Sequence, residues 1–181
     1  MKKGKIILEN AQFNLTIQRL CHELIENYGD FSETCIIGIQ EKGVLMADRI
    51  KLGLSQLVKN VNIPYGKLDI TFYRDDFRSR KNPIAASSTI VDFLVENKKV
   101  ILIDDVLYTG RTVHAALSAL QDFGRPKTVE LMCLVDRRFN RHLPIKADYT
   151  GLTVDALDDA YVKVEWAHIE GQDRILLFST Q

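Results

Sequence analysis

The stretch Val100-Ile101-Leu102-Ile103-Asp104-Asp105-Val106-Leu107-Tyr108-Thr109-Gly110-Arg111-Thr112 decides the fold. Residues 100 to 103 are β-branched or leucine without a polar interruption, as expected of a central strand in a parallel sheet covered on both faces. From Val113 the period changes. Val113, Ala116, Leu117 and Leu120 fall at i, i+3, i+4 and i+7, the inward stripe of an amphipathic helix. Between strand and helix lie Thr109, Gly110 and Thr112, where main-chain N–H groups can converge on an anion and the helix dipole favours its charge.

A ribose 5-phosphate suits these groups. The phosphate needs several donors, which the loop N–H groups and the hydroxyls of Thr109 and Thr112 supply, and Gly110 lets the backbone come close. The ribose hydroxyls need acceptors, and Asp104 and Asp105 stand at the strand's carboxyl end, where open α/β sheets bind ligands. Successive strand residues point to opposite faces, so only one of the pair aims at the sugar unless the strand is already turning. A capped turn alone would also account for Asp-Asp followed by Thr-Gly. The phosphate reading is preferred because strand, acid pair, Thr-Gly-x-Thr and helix agree in register.

Working outward, Ile17, Leu20, Cys21, Leu24, Ile25 and Tyr28 mark the buried side of a helix over about 11–28, with Arg19, His22, Glu23 and Glu26 on its other side. An Arg-Glu pairing on a solvated face explains Arg19 by itself. Thr34 to Ile39 reads as a strand, followed by Gln40-Glu41-Lys42-Gly43 and a helix marked by Ala47, Ile50, Leu54 and Leu57. This second strand-loop-helix corner is suited to a pyrophosphate, held by N–H groups at the helix start and the Lys42 cation, although a plain βα turn has the same composition. Lys67 to Tyr73 is expected as a strand, and the charged run Arg74 to Pro83 as a solvated loop or a closing lid. Further strands are expected at Thr89–Leu94, Thr128–Val135, Val162–Trp166 and Arg174–Phe178. The cations Arg137, Arg138, Arg141 and His142 cluster after Asp136, where they can either contact nucleic-acid phosphates or line the substrate cleft and pair with Asp136.

The alternation implies an α/β, doubly wound, mostly parallel sheet with a small hood from the chain ends. A chain of 181 residues suits one domain over 1–181, with the core at about 11–150 and the hood from 1–10 and 151–181. Lys plus Arg equals Asp plus Glu at 24 each, so any nucleic-acid surface must be a local basic patch. Cys21, Cys35 and Cys133 are odd in number and each sits in an apolar pattern, which points to reduced, buried thiols. No run approaches ~18 uninterrupted apolar residues, so no membrane partner is expected and a cytoplasmic location is.

Val100 to Thr112 resembles the phosphoribosyl-pyrophosphate (PRPP) motif of type I phosphoribosyltransferases, and closely its form in the bifunctional pyrimidine operon attenuator and uracil phosphoribosyltransferase family. The likeness extends to Gly66–Asp76 (GKLDITFYRDD), Gly124-Arg125-Pro126, Leu134–Arg137 (LVDR) and Leu143–Tyr149 (LPIKADY). It implies a type I phosphoribosyltransferase fold and the formation of UMP and pyrophosphate from uracil and PRPP, with Mg2+ held at Asp104 and Asp105. It implies PRPP binding by Asp104, Asp105, Val106, Leu107, Tyr108, Thr109, Gly110, Arg111 and Thr112. Pyrophosphate binding falls to Glu41, Lys42, Gly43 and Arg74, with Lys42, Arg74, Asp104 and Asp105 catalytic. It further implies uridine-nucleotide-sensitive binding of a pyrimidine operon leader mRNA, with Arg19, His22, Arg138, Arg141, His142 and Lys146 as candidates, and assembly into a dimer or larger homo-oligomer. The chain departs from the family pattern at Gln18, at Lys42, and over Val154–Ala160, where acids replace a Pro-Thr-Ser segment. Tyr108 stands where purine-salvage relatives carry an acid, which argues against purine transfer. An RNA-binding regulator with little catalysis is the alternative of a different class.

Overall fold

The apolar runs 34–39 and 100–103 lie in the interior of one parallel sheet, buried on both sides. The structure, a computed structural model, describes residues 4–59, 61–75, 87–156 and 160–178. Strand β1 (Lys5–Leu8) leads into α1 (Asn10–Tyr28), then β2 (Thr34–Ile39), α2 (Lys42–Leu57), β3 (Tyr65–Leu68), β4 (Lys99–Leu107), α3 (Arg111–Leu120), β5 (Thr128–Arg137) and β6 (Tyr149–Val154). The main sheet has the order β3-β2-β4-β5-β6, and every pair in it is parallel. The PRPP-like stretch is its middle strand, with Ile101 beside Ile36 on one side and Glu130 on the other.

Two apolar cores flank this sheet. On one face Phe13, Ile17, Leu20 and Leu24 of α1 and Met46, Ala47 and Ile50 of α2 pack against Ile36, Ile101 and Ile103. On the other, Val113, Ala116 and Leu120 of α3 pack against Ile37, Leu102 and Leu131. The fold is therefore doubly wound, as expected. Leu57 and Leu117 were expected inside but are exposed by 44% and 37%. Leu57 ends α2, and Leu117 lines an open groove with Pro126 and Val129. The three cysteines are unpaired and buried, and burial pushes Cys21 and Cys35 up to about 11 and Cys133 up to about 12.

The hood is the antiparallel sheet β1-β8-β7, built from β7 (Tyr161–Glu165), a short helix α4 (Ala167–Glu170) and β8 (Arg174–Phe178) together with the first strand. Strand β6 carries the main sheet to Val154, past the boundary expected at 150. Two strand expectations need correction. The segment expected over 67–73 is a strand only at Tyr65–Leu68; the Asp69 carboxylate accepts hydrogen bonds from the Thr71 N–H and hydroxyl, and curls the chain into a 3₁₀ turn at Thr71–Tyr73. Thr89–Leu94 forms no strand; Ile90 alone makes an antiparallel bridge to Lys67, on the outer edge of β3. Among the described residues no helix is long and apolar enough to cross a membrane.

Candidate active site

Three chain segments meet at the carboxyl ends of β2, β3 and β4 around a cleft of about 370 Å³. The corner after β2 contributes Gln40, Glu41 and Lys42; the turn after β3 contributes Asp69, Ile70, Thr71 and Arg74; the middle strand and its helix contribute Asp104, Asp105, Val106 and Thr112. Ser87 completes the lining. The Gln40–Glu41 peptide is cis. Gly43 does not line the cleft. A Cβ there would lie 2.5 Å from the Ile103 carbonyl oxygen, so its contribution is to let α2 start directly against β4, which brings Lys42 to the acids. Most of the lid expected over 74–83 lies outside the described residues, but Asp75 at its start pairs with Arg111.

Gly110 enters α3 with φ of +89°, a conformation that favours glycine. The Arg111 N–H donates to the Thr109 hydroxyl at 3.4 Å, and the N–H groups that follow it in the first turn of α3 have no side-chain cap. Leu107 is buried in the second core, which leaves only its main chain facing any ligand. Behind the loop, the N–H groups of His142 and Leu143 donate to the Thr109 carbonyl at 3.0 and 3.2 Å, and Arg141 donates to the Tyr108 carbonyl and to Asp136. The loop is tied to the end of β5.

Both acids line the cleft, although β4 keeps its register with β5 past them, through Asp104–Cys133, Val106–Val135 and Leu107–Asp136. Each acid is 7% exposed. Burial, and for Asp104 the adjacent Asp105 carboxylate, raises both above the usual carboxylate range, while Lys42 opposes the rise. The Asp105 N–H donates to Asp104 Oδ1 at 2.9 Å, and Asp105 Oδ2 is buried without a partner.

Arg137, expected only as one of the cations clustered at the end of β5, stands apart from the others in the structure. It is 4% exposed, and its guanidinium carbon lies 3.8 Å from the centroid of the Tyr108 ring. The available signal was a cation closing an apolar strand next to a tyrosine. Asp69, Thr71 and Ser87 also line the cleft although nothing in their local pattern marks them, and Gln40 lines it as part of the corner expected to hold pyrophosphate.

Residues 3–168 match the phosphoribosyl transferase domain. A bifunctional protein PyrR from Caldicellulosiruptor bescii is 41% identical over 177 residues, covering 98% of this chain and 96% of that protein. The chain belongs to the PyrR family of phosphoribosyltransferases. Its PyrR relative from Mannheimia succiniciproducens is 43% identical over 180 residues, covering 97% and 98%. The fold also matches a hypoxanthine phosphoribosyltransferase from Staphylococcus aureus, with a TM-score of 0.69 at 17% identity over 98% of this chain and 92% of that one. The Trypanosoma cruzi hypoxanthine enzyme gives 0.72 at 14% over 98% and 97%. These two likenesses concern the fold.

For a PyrR-family protein the basic candidates are dispersed. Arg19 pairs with Glu23 and donates to the carbonyls of Thr150 and Gly151; Arg138 is bidentate on Asp155. Both therefore border β6. Arg141 and His142 lie instead behind the phosphate-type loop, and Lys146 lines a cavity under α3 with Val113. His22 is exposed on α1. Of the acidic segment over 155–159, Asp155 is described and neutralised by Arg138, while Leu157, Asp158 and Asp159 lie outside the described residues. No group of three or more metal-ligating side chains occurs among the described residues. The acid pair with its unpartnered Oδ2 instead fits a hard cation whose other oxygens come from substrate and water.

Proposed function

We propose that this phosphoribosyltransferase uses PRPP and uracil to form UMP and pyrophosphate. The observation that carries the reading is the convergence of Lys42, Arg74, Asp104, Asp105 and Thr112 on one cleft. Support for a pyrimidine comes from Tyr108: a phenol backed by Arg137 stands where purine-salvage members place an acid.

The 5-phosphate sits on the N–H groups of 109–112 and the hydroxyls of Thr109 and Thr112. Asp104 and Asp105 hold the ribose hydroxyls while positive charge develops at the anomeric carbon, and Lys42 and Arg74 face the departing pyrophosphate. Mg2+ bound by the acid pair and substrate oxygens would supply further neutralisation of the leaving group. Turnover assays with uracil, guanine and hypoxanthine test the assignment. Uracil should be preferred, and preference for either purine would reject it.

A second activity is proposed with it: binding of a pyrimidine operon leader mRNA in response to uridine nucleotides. Arg19 and Arg138, both beside β6, and the exposed His22 support it. Filter binding at two salt concentrations should show a steep loss with salt. Weak binding with no salt slope would remove the regulator. We also propose a homo-oligomer in the cytoplasm; light scattering that returns a monomer mass would contradict the assembly.

A further inference from the structure

Arg137 is a buried cation with two bare donors. Its Nε and Nη2 have no hydrogen-bond partner among the described residues, and the guanidinium is packed on the Tyr108 ring. These N–H groups form one edge of the guanidinium, a fork of parallel donors aimed the same way. The neighbouring carboxylates do not serve it: Asp136 is taken by Arg141 and Asp155 by Arg138. A desolvated charge without an acceptor is costly to keep, so the pocket is complete only when an acceptor arrives from outside. Tyr108, on which the guanidinium packs, directly follows the strand whose Asp104, Asp105 and Val106 line the cleft.

We propose that Arg137 receives a ring carbonyl oxygen of the uracil base and selects for it. This rests on the uracil assignment above. In the transfer, the N1 electron pair forms the bond to the anomeric carbon as the bond from that carbon to the pyrophosphate oxygen breaks. The N1 proton goes to an oxygen of the departing pyrophosphate. Negative charge that builds on the base as the proton leaves is shared by the ring carbonyls, where a fixed guanidinium stabilises it. The Tyr108 ring holds that guanidinium in place.

The test is Arg137→Gln assayed with uracil and with 5-fluorouracil, whose N1–H is more acidic and needs less help. The kcat/KM for uracil should fall roughly ten- to a hundredfold. The loss on 5-fluorouracil should be several-fold smaller, and KM for PRPP should hardly move. An equal loss on both bases, or no loss, overturns the role of Arg137 while the uracil assignment survives. A wild-type protein that ignores uracil overturns that assignment, and this inference with it. If melting shows that the variant does not fold, the wild-type protein decides the matter. 2-Pyrimidinone and 4-pyrimidinone each lack one ring carbonyl, so one should compete with uracil roughly tenfold less well than the other; equal competition overturns the proposal.

Discussion

Asp104 works against the fold that holds it. Its carboxyl is pushed up by burial and by Asp105, so at neutral pH the ligand-free protein carries ionisable acid that the interior disfavours. Asp104→Asn keeps an acceptor for the Asp105 N–H. The variant should gain about 1 kcal/mol of stability, seen as a melting temperature a few degrees higher, while activity falls severely. A variant that melts lower would mean the acid stabilises the empty protein. Lys42 opposes the upward shift of both carboxyls. Lys42→Ala should lower kcat roughly a hundredfold, measured in the transfer assay with PRPP in excess. These residues were legible in sequence because they sit at strand ends and helix starts, where geometry restricts where a side chain can go. Arg137 was legible only as one cation of a cluster, since its stacking partner and the bonds it fails to make are properties of the fold.

At the scale of elements, β2, β4 and β8 were found where hydrophobic pattern put them, because burial on both faces leaves a continuous apolar run. The segment after Gly66 was misread for a local reason. Its residues have strand-like composition, but one aspartate carboxylate captures two donors two residues ahead and ends the strand. The starts of α2 and α3 depend on glycine in different ways. Gly43→Ala places a methyl against the Ile103 carbonyl, so the helix must back away from β4. It should cost about 1–3 kcal/mol in denaturant titration and raise KM for PRPP. Gly110→Ala meets side chains of Ile145 and Leu143 at ordinary to tight distances, so its cost comes from the backbone. About 1 kcal/mol of destabilisation is expected, with weaker PRPP binding by calorimetry. Unchanged PRPP affinity would separate this turn from phosphate recognition.

For the whole molecule, the raised acid pair sets a pH dependence. Groups whose native values are raised contribute stability below the ordinary carboxylate range and lose it as pH climbs through those values. Glu165, lowered by Lys163, and Asp155, lowered by Arg138, act in the opposite sense and weaken only in strong acid. The ligand-free protein should therefore melt higher in mildly acidic than in mildly alkaline buffer, and Asp104→Asn should flatten the difference. An equally steep profile in the variant would point to other groups. The order of strands in space has its own result. The third strand of the main sheet in chain order is its spatial centre, between β2 and β5. A fragment stopping before Lys99 would own α1, α2, β2 and β3, with packing on one face only and the other face of its strands left without α3. Such a half-chain has no route to a partly working enzyme. It would clump through its naked edge, and ligand grip would emerge all at once when the central ribbon slots home.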